Sequence, residues 1–89
     1  MTTIIQREAT PNEQARAQDW ELWESGNTDR FEYIYDQDVQ FIVQQGAAVI
    51  HSQYNEPVAV KAGDHVTIRK GVQGIWDISS PIVNRYQYL

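Results

Sequence analysis

From Trp20 to the C-terminus the chain is interrupted at short, regular intervals by clusters of turn-forming residues: "SGNTD", "YDQD", "YNEP", "AGD", "KGVQG" and "SSP". Such clusters every eight to twelve residues, roughly, leave room only for short extended segments, the spacing of an all-β sandwich or barrel. The segments between them alternate as strands do. "RFEYIY" puts Phe31, Tyr33 and Tyr35 on one face with Glu32 and Ile34 on the other, and "VQFIVQQG" aligns Val39, Phe41 and Val43 before Gly46. Trp20 and Leu22 alternate with Asp19 and Glu21, with Trp23 on the other face. "AAVIHSQ", "VAVK", "HVTIR", "IWDI" and "IVNRYQYL" complete about eight or nine short strands, with Pro81 suited to a strand start because it cannot donate to a ladder. "RFEYIY" and "VQFIVQQG" across the "YDQD" turn read as a hairpin.

The N-terminal part has a different grammar. In "TPNEQARAQ", Thr10 is an N-cap, Pro11 takes the first helical position and Glu13 closes a capping box, so one or two helical turns fit before Asp19. Ahead of it, Ile4 and Ile5 stand in a polar setting, as an edge strand or a loosely held arm. The expected organisation is an arm with a helical turn over residues 1–18 and a β-barrel over 19–89.

A chain of 89 residues allows one domain, with a core that is marginal unless the sheet closes on itself or pairs with a second copy. Hydrophobic residues at 42% and aromatics at 11% are enough to offset chain entropy. A net charge of −5 repels phosphate backbones and anionic surfaces, so neither nucleic acid nor a membrane is an expected partner. There is no cysteine, which removes disulfides and Cys-ligated zinc. No secretory leader pattern or membrane-length apolar run is seen, and a soluble, cytoplasmic protein is expected.

Three stretches carry a resemblance. "FEYIYDQDVQFIVQQG", "VAVKAGDHVTIRKGVQGIWDI" and "NRYQYL" together resemble the cupin superfamily over about residues 19–89, with a closer likeness to small single-domain cupins of the ureidoglycine aminohydrolase group. The resemblance implies a jelly-roll barrel, here a small one with a short N-terminal arm. It also implies two metal-binding motifs, and both have lost their ligands. In the second, Gly63 and Gly71 keep the spacing, but Arg69 replaces the proline, Gly74 the histidine and Ile78 the asparagine. In the first, Gly46 sets Val39 at the glutamate and Tyr35 and Tyr33 at the two histidines. Two phenols, a valine and a glycine offer no imidazole or carboxylate to a divalent metal, so no metal and no cofactor are expected at the usual cupin site.

The remaining candidates follow from this frame. Tyr33 and Tyr35 would face the interior, either filling the core or walling a pocket that hydrogen-bonds a small ligand. Trp23, Trp76 and Phe41 would stack in the same cavity or plug it, and plugging is favoured because so small a barrel is just wide enough for its own side chains. Arg69 would either fork onto a ligand anion or sit solvated against Asp64 or Asp77, with Arg85 treated alike. His65 precedes Val66 and points away from the Val66 and Ile68 face, and His51 ends a strand; both read as ordinary surface or strand-end histidines. Asp36 and Asp38 read as solvated turn residues. No nucleophile–base arrangement or phosphate loop occurs.

The sequence therefore points first to a metal-free cupin that binds a small molecule among Tyr33, Tyr35, Phe41 and Trp76, with Arg69 as an anion anchor. A hydrolase or isomerase of the ureidoglycine aminohydrolase type and a structural or regulatory barrel acting through its surface are the alternatives. A homodimer is expected, because Ile4 and Ile5 would find little to bury against in their own domain.

Overall fold

The computed structural model describes residues 3–53 and 55–89. Seven strands follow in the order β1 (Ile4–Glu8), β2 (Glu21–Glu24), β3 (Arg30–Ile34), β4 (Val39–His51), β5 (Val58–Lys61), β6 (Asp64–Ile68) and β7 (Gln73–Tyr88). A short helix, α1 (Pro11–Arg16), and a 3-10 turn over Ala17–Asp19 lie between β1 and β2. All the pairings are antiparallel, in the spatial order β1-β6-β4-β7-β2, with β3 also on β7 and β5 also on β4. This is an all-β jelly roll.

The strand count is lower than expected, because two expected strand boundaries, Gly46 and the "SSP" signal, do not end their strands. β4 runs through Gly46 and β7 runs through Pro81 as single long strands. The two interruptions face each other: the register steps from Gln45↔Val83 to Ala47↔Ser80. Pro81 has no N–H to give to the ladder, and Gly46 at φ 92° takes the left-handed conformation that a bulge requires. A Cβ at Gly46 would overlap the Pro81 carbonyl. The pair of breaks becomes a shared bend, and inward parity changes with it: Val39, Phe41 and Val43 face in before the bend, Ala48 and Ile50 after it.

The expected hairpin between β3 and β4 does not form. At the end of β3 the Tyr35 N–H donates to the Val72 carbonyl at 2.9 Å and the Gly71 N–H donates to the Tyr35 carbonyl at 2.7 Å, so the strand is tied to the start of β7. Trp20 also lies outside β2, where Leu22 faces solvent and Trp23 faces the core.

The N-terminal signals read correctly. The Glu13 N–H donates to Thr10 Oγ1 at 3.2 Å, and Glu13 Oε1 accepts the Thr10 N–H at 2.9 Å, a complete capping box with Pro11 inside it. Of the two readings for the first segment, the edge strand is the one that forms, from Ile4↔Ile68 to Glu8↔Asp64. Ile4 is 5% exposed in its own domain's core while Ile5 is 48% exposed. Half of the argument for a partner copy is thus met within the chain.

The main core joins Val43, Ile50, Val60, Val66, Ile68 and Ile82 between the inward faces of the sheet. On the outer face a second, smaller cluster packs Ala9, Ala17 and Trp20 over Ile42. Among the described residues no helix is long and apolar enough to cross a membrane.

Candidate functional site

Alternation on the long strands decides what the fold encloses. Along the second half of β7, Asn84, Tyr86 and Tyr88 point inward, opposite Val43, Phe41 and Val39 of β4. Across the other edge Asn84 faces Trp23 on β2, and further along Trp76 faces Phe31 on β3. All of these except Val43, together with Tyr33 and Tyr35, line a cavity of about 200 Å³. Eight of its ten lining residues are aromatic, out of ten aromatic residues in the whole chain. An apolar hole of about 150 Å³ holds a benzene-sized molecule, so this space admits a ligand of that order.

The rings hold one another in place. Phe31 and Trp76 lie nearly parallel, 19° apart in plane with centroids 5.4 Å apart, and Phe41 meets Trp76 at 5.5 Å. Trp23 closes the cluster against Phe31 at 5.3 Å. Tyr33 meets Tyr35 edge-on at 4.8 Å. The expectation that these rings plug the barrel holds only in part, since a cavity stays open beside the cluster.

Two polar groups matter. Trp76 Nε1 donates to the Tyr35 hydroxyl at 3.1 Å, a buried bond that fixes both rings. Burial pushes the Tyr35 phenol up to about 12, so it stays protonated at neutral pH and keeps its own O–H for a further acceptor. Asn84 is 5% exposed, and its Oδ1 accepts no hydrogen bond from the described residues.

The four positions that the cupin motifs assign to metal ligands do converge here. Tyr33, Tyr35 and Val39 line the cavity, and a Cβ built on Gly74 would sit 3.3 Å from Tyr35 Cε2. The residues present do not fit a divalent metal. A Cβ at position 74 would already press on the Tyr35 ring, and the other positions offer two phenols and a valine in place of imidazole or carboxylate. Among the described residues no group of three or more His, Cys, Asp or Glu side chains comes together.

Four of the five sequence candidates, Tyr33, Tyr35, Phe41 and Trp76, meet in this cavity; Arg69 does not. Its guanidinium pairs with Asp38 at 3.3 Å, rather than with Asp64 or Asp77, and the same carboxylate accepts the Lys70 N–H at 2.7 Å. Those contacts, the Lys70 N–H first, draw the Asp38 carboxyl below its ordinary range. The arginine latches the β6–β7 loop to the start of β4, and no described residue that lines the cavity is a cation.

His51 is a strand-end residue, paired with Asp77 at 3.0 Å. His65 is not a surface residue. It points away from Val66 and Ile68 as alternation requires, but α1 and the 3-10 turn cover that face, leaving it 5% exposed with Nε2 3.1 Å from Gln40 Oε1. Arg85 lies on the same outer side, donating to the Trp20 carbonyl at 3.2 Å.

Sequence reasoning missed Asn84, Tyr86 and Tyr88. The signal was the alternation in "NRYQYL", which sets all three on one face. Which face that was depended on a pairing partner some forty residues away in sequence.

A rolled antiparallel sheet that wraps an aromatic cavity at the convergence of these motif positions defines a small jelly-roll protein of the cupin class. Residues 12–86 match the EutQ-like cupin domain, and the chain belongs to that family. The cupin resemblance is thereby shown; the finer likeness to the ureidoglycine aminohydrolase group rests on the sequence motifs alone. No curated protein sequence matches the chain. Among solved structures it is similar to a DUF861-family protein from Thermotoga maritima, with a TM-score of 0.88 at 20% identity, covering 98% of this chain and 100% of that one. It is also similar to the EutQ protein of Clostridium difficile, with a TM-score of 0.66 at 16% identity over 98% of this chain and 68% of that one. A putative ethanolamine utilization protein Q from Salmonella typhimurium aligns with a TM-score of 0.62 at 21% identity, over 75% of this chain and 51% of that one. At such identities these structures share the fold, and function must be argued from the site.

Proposed function

We propose that this cupin binds a small molecule in its aromatic cavity without a metal. The observation that carries the reading is the concentration of eight of the chain's ten aromatic side chains around one cavity, beside a buried amide oxygen with no partner. A barrel stabilised only by its own packing would gain from closing that space and from replacing the amide by an apolar residue. Binding is favoured over hydrolysis or isomerisation by the chemistry of the walls. Among the described lining residues there is no imidazole, carboxylate or ammonium, and a phenol near 12 is a poor base at neutral pH. The reading treats the chain as a cytoplasmic protein that pairs with a second copy.

The test is a metabolite screen on protein dialysed against chelator, read by the fluorescence of the cavity tryptophans Trp23 and Trp76. A saturable ligand is expected, and Tyr33→Ala should weaken it about tenfold with little change in melting temperature, because Tyr33 is 43% exposed. A broad screen without any ligand, or a ligand indifferent to both Tyr33→Ala and Tyr35→Phe, would overturn the proposal.

A further inference from the structure

Three buried side-chain atoms among the described residues lack a hydrogen-bond partner: Ser52 Oγ, Arg85 Nε and Asn84 Oδ1. Asn84 is the one that lines the aromatic cavity. It sits in the second half of β7, between Val43 of β4 and Trp23 of β2, and its oxygen is buried from water. An amide oxygen in that position is costly unless something donates to it.

The donor that fits is a cation. Among the described residues no charged side chain lines the cavity, so an anion would meet neither a guanidinium nor an ammonium; Arg69 is spent on Asp38. Aromatic faces carry negative quadrupoles and attract an ammonium held over them, most strongly for indole. Trp23 and Trp76 both line the space. Acidic charge stands outside, with Asp36 exposed yet near enough to Tyr88 to help push its phenol up, and the net charge of −5 favours approach of cations. Resting on the cavity reading above, we infer that the ligand is a small primary amine in its protonated form, whose ammonium donates to Asn84 Oδ1 while its alkyl part lies among the aromatic side chains.

The experiment titrates wild-type protein with three probes of matched size: n-butylammonium, n-butanol and butyrate. Binding is followed by the indole and Asn side-chain amide resonances. The ammonium is expected to bind at least about tenfold tighter than the alcohol, with butyrate weakest. Asn84→Leu should cost the ammonium about tenfold to a hundredfold and bring it to the level of the alcohol, since a hydrogen bond to a charged group is lost. It should also raise the melting temperature of the free protein, because the unmet acceptor is gone. Asn84→Asp keeps the shape and should tighten the ammonium alone, which secures the test if the leucine variant does not fold. Equal or tighter binding of n-butanol or butyrate would overturn the amine assignment and leave the cavity reading standing. No saturable shift with any of the three probes, together with an empty metabolite screen, would overturn both.

Discussion

The two faces of the central strands are built from neighbouring residues and treat polar groups in opposite ways. On the outer face, under α1, His65 meets Gln40, and Gln40 Nε2 donates onward to Gln87 Oε1 at 3.2 Å. Arg7 grips Glu13 above them, with Nη1 donating to Oε1 at 2.8 Å and Nη2 to Oε2 at 2.6 Å. Even Arg85, whose Nε is unmet, uses one of its other donors on Trp20. On the inner face, one residue along the same strand, the side-chain carbonyl of Asn84 has no donor among the described residues. The outer face is closed by its own partners, whereas the inner face keeps an open cavity and an unmet acceptor beside it. That contrast separates structure from function here more clearly than conserved-looking motifs do, since the cupin metal positions have become wall.

The comparison can be broken most forcefully at Trp76. Its ring touches Trp23, Phe31 and Phe41, and its indole N–H is held by Tyr35. Trp76→Ala should cost about 3–5 kcal/mol, the range for deleting a buried aromatic, and a chain of this size would then lose much of its stability. Chemical denaturation measures it. A loss below about 1 kcal/mol would mean that the inner cluster is loose and the cavity collapsible, and the distinction between the faces would fail.

Next in size is the bend that both faces share. Gly46→Ala would need a left-handed alanine and would drive its Cβ into the Pro81 backbone. With strain of about 1–3 kcal/mol for the conformation and about 1–3 kcal/mol for overpacking, the expected loss is about 2–5 kcal/mol by denaturation. Because the bend sets the inward parity of β4, the variant should also change the near-ultraviolet circular dichroism of the aromatic cluster. An unchanged spectrum would show that the parity switch does not depend on Gly46.

How much of this could be read from the sequence follows the range of each interaction. The capping box at Thr10 and Glu13 was legible from a short fixed spacing, and the convergence of Tyr33, Tyr35, Val39 and Gly74 was what the cupin resemblance implied. The all-β class followed from the regular turn signals, and the jelly roll from the resemblance to cupins. The long strands were not legible: "QQG" and "SSP" look like chain reversals until Gly46 and Pro81 are seen to face each other. Arg69 was misplaced because nothing local says that its nearest carboxylate is Asp38, thirty-one residues earlier. His65 reads as a surface residue from the sequence because alternation reports the side of a strand without reporting what lies on it, and here a helix about fifty residues away covers that side. Asn84 was passed over for the same reason in reverse.

The smallest expected effect lies on the outer face and concerns pH. Burial, with the nearby Arg7 charge second, pushes the His65 imidazolium pKa down. The folded protein therefore binds fewer protons at His65 than the unfolded chain does, so stability is whole above about pH 6.5 and declines as pH falls below it. Glu13 works in a lower window. Its hydrogen bonds from Arg7, and then from the Thr10 N–H, hold its carboxyl far below the usual carboxylate range. Its contribution is full above about pH 4.5 and is lost as the pH drops through the folded value. Glu13→Gln should cost about 1 kcal/mol at neutral pH, the scale of a cap and a partly exposed ion pair, and should flatten only the lower part of the acid limb. His65→Gln should flatten only the part just below pH 6.5. Denaturation midpoints measured from pH 7 to pH 3 would show the two segments move independently. If Glu13→Gln altered the upper segment as well, the Arg7–Glu13 pair would be controlling the burial of His65, and the outer face would be a coupled unit rather than a set of separately satisfied groups.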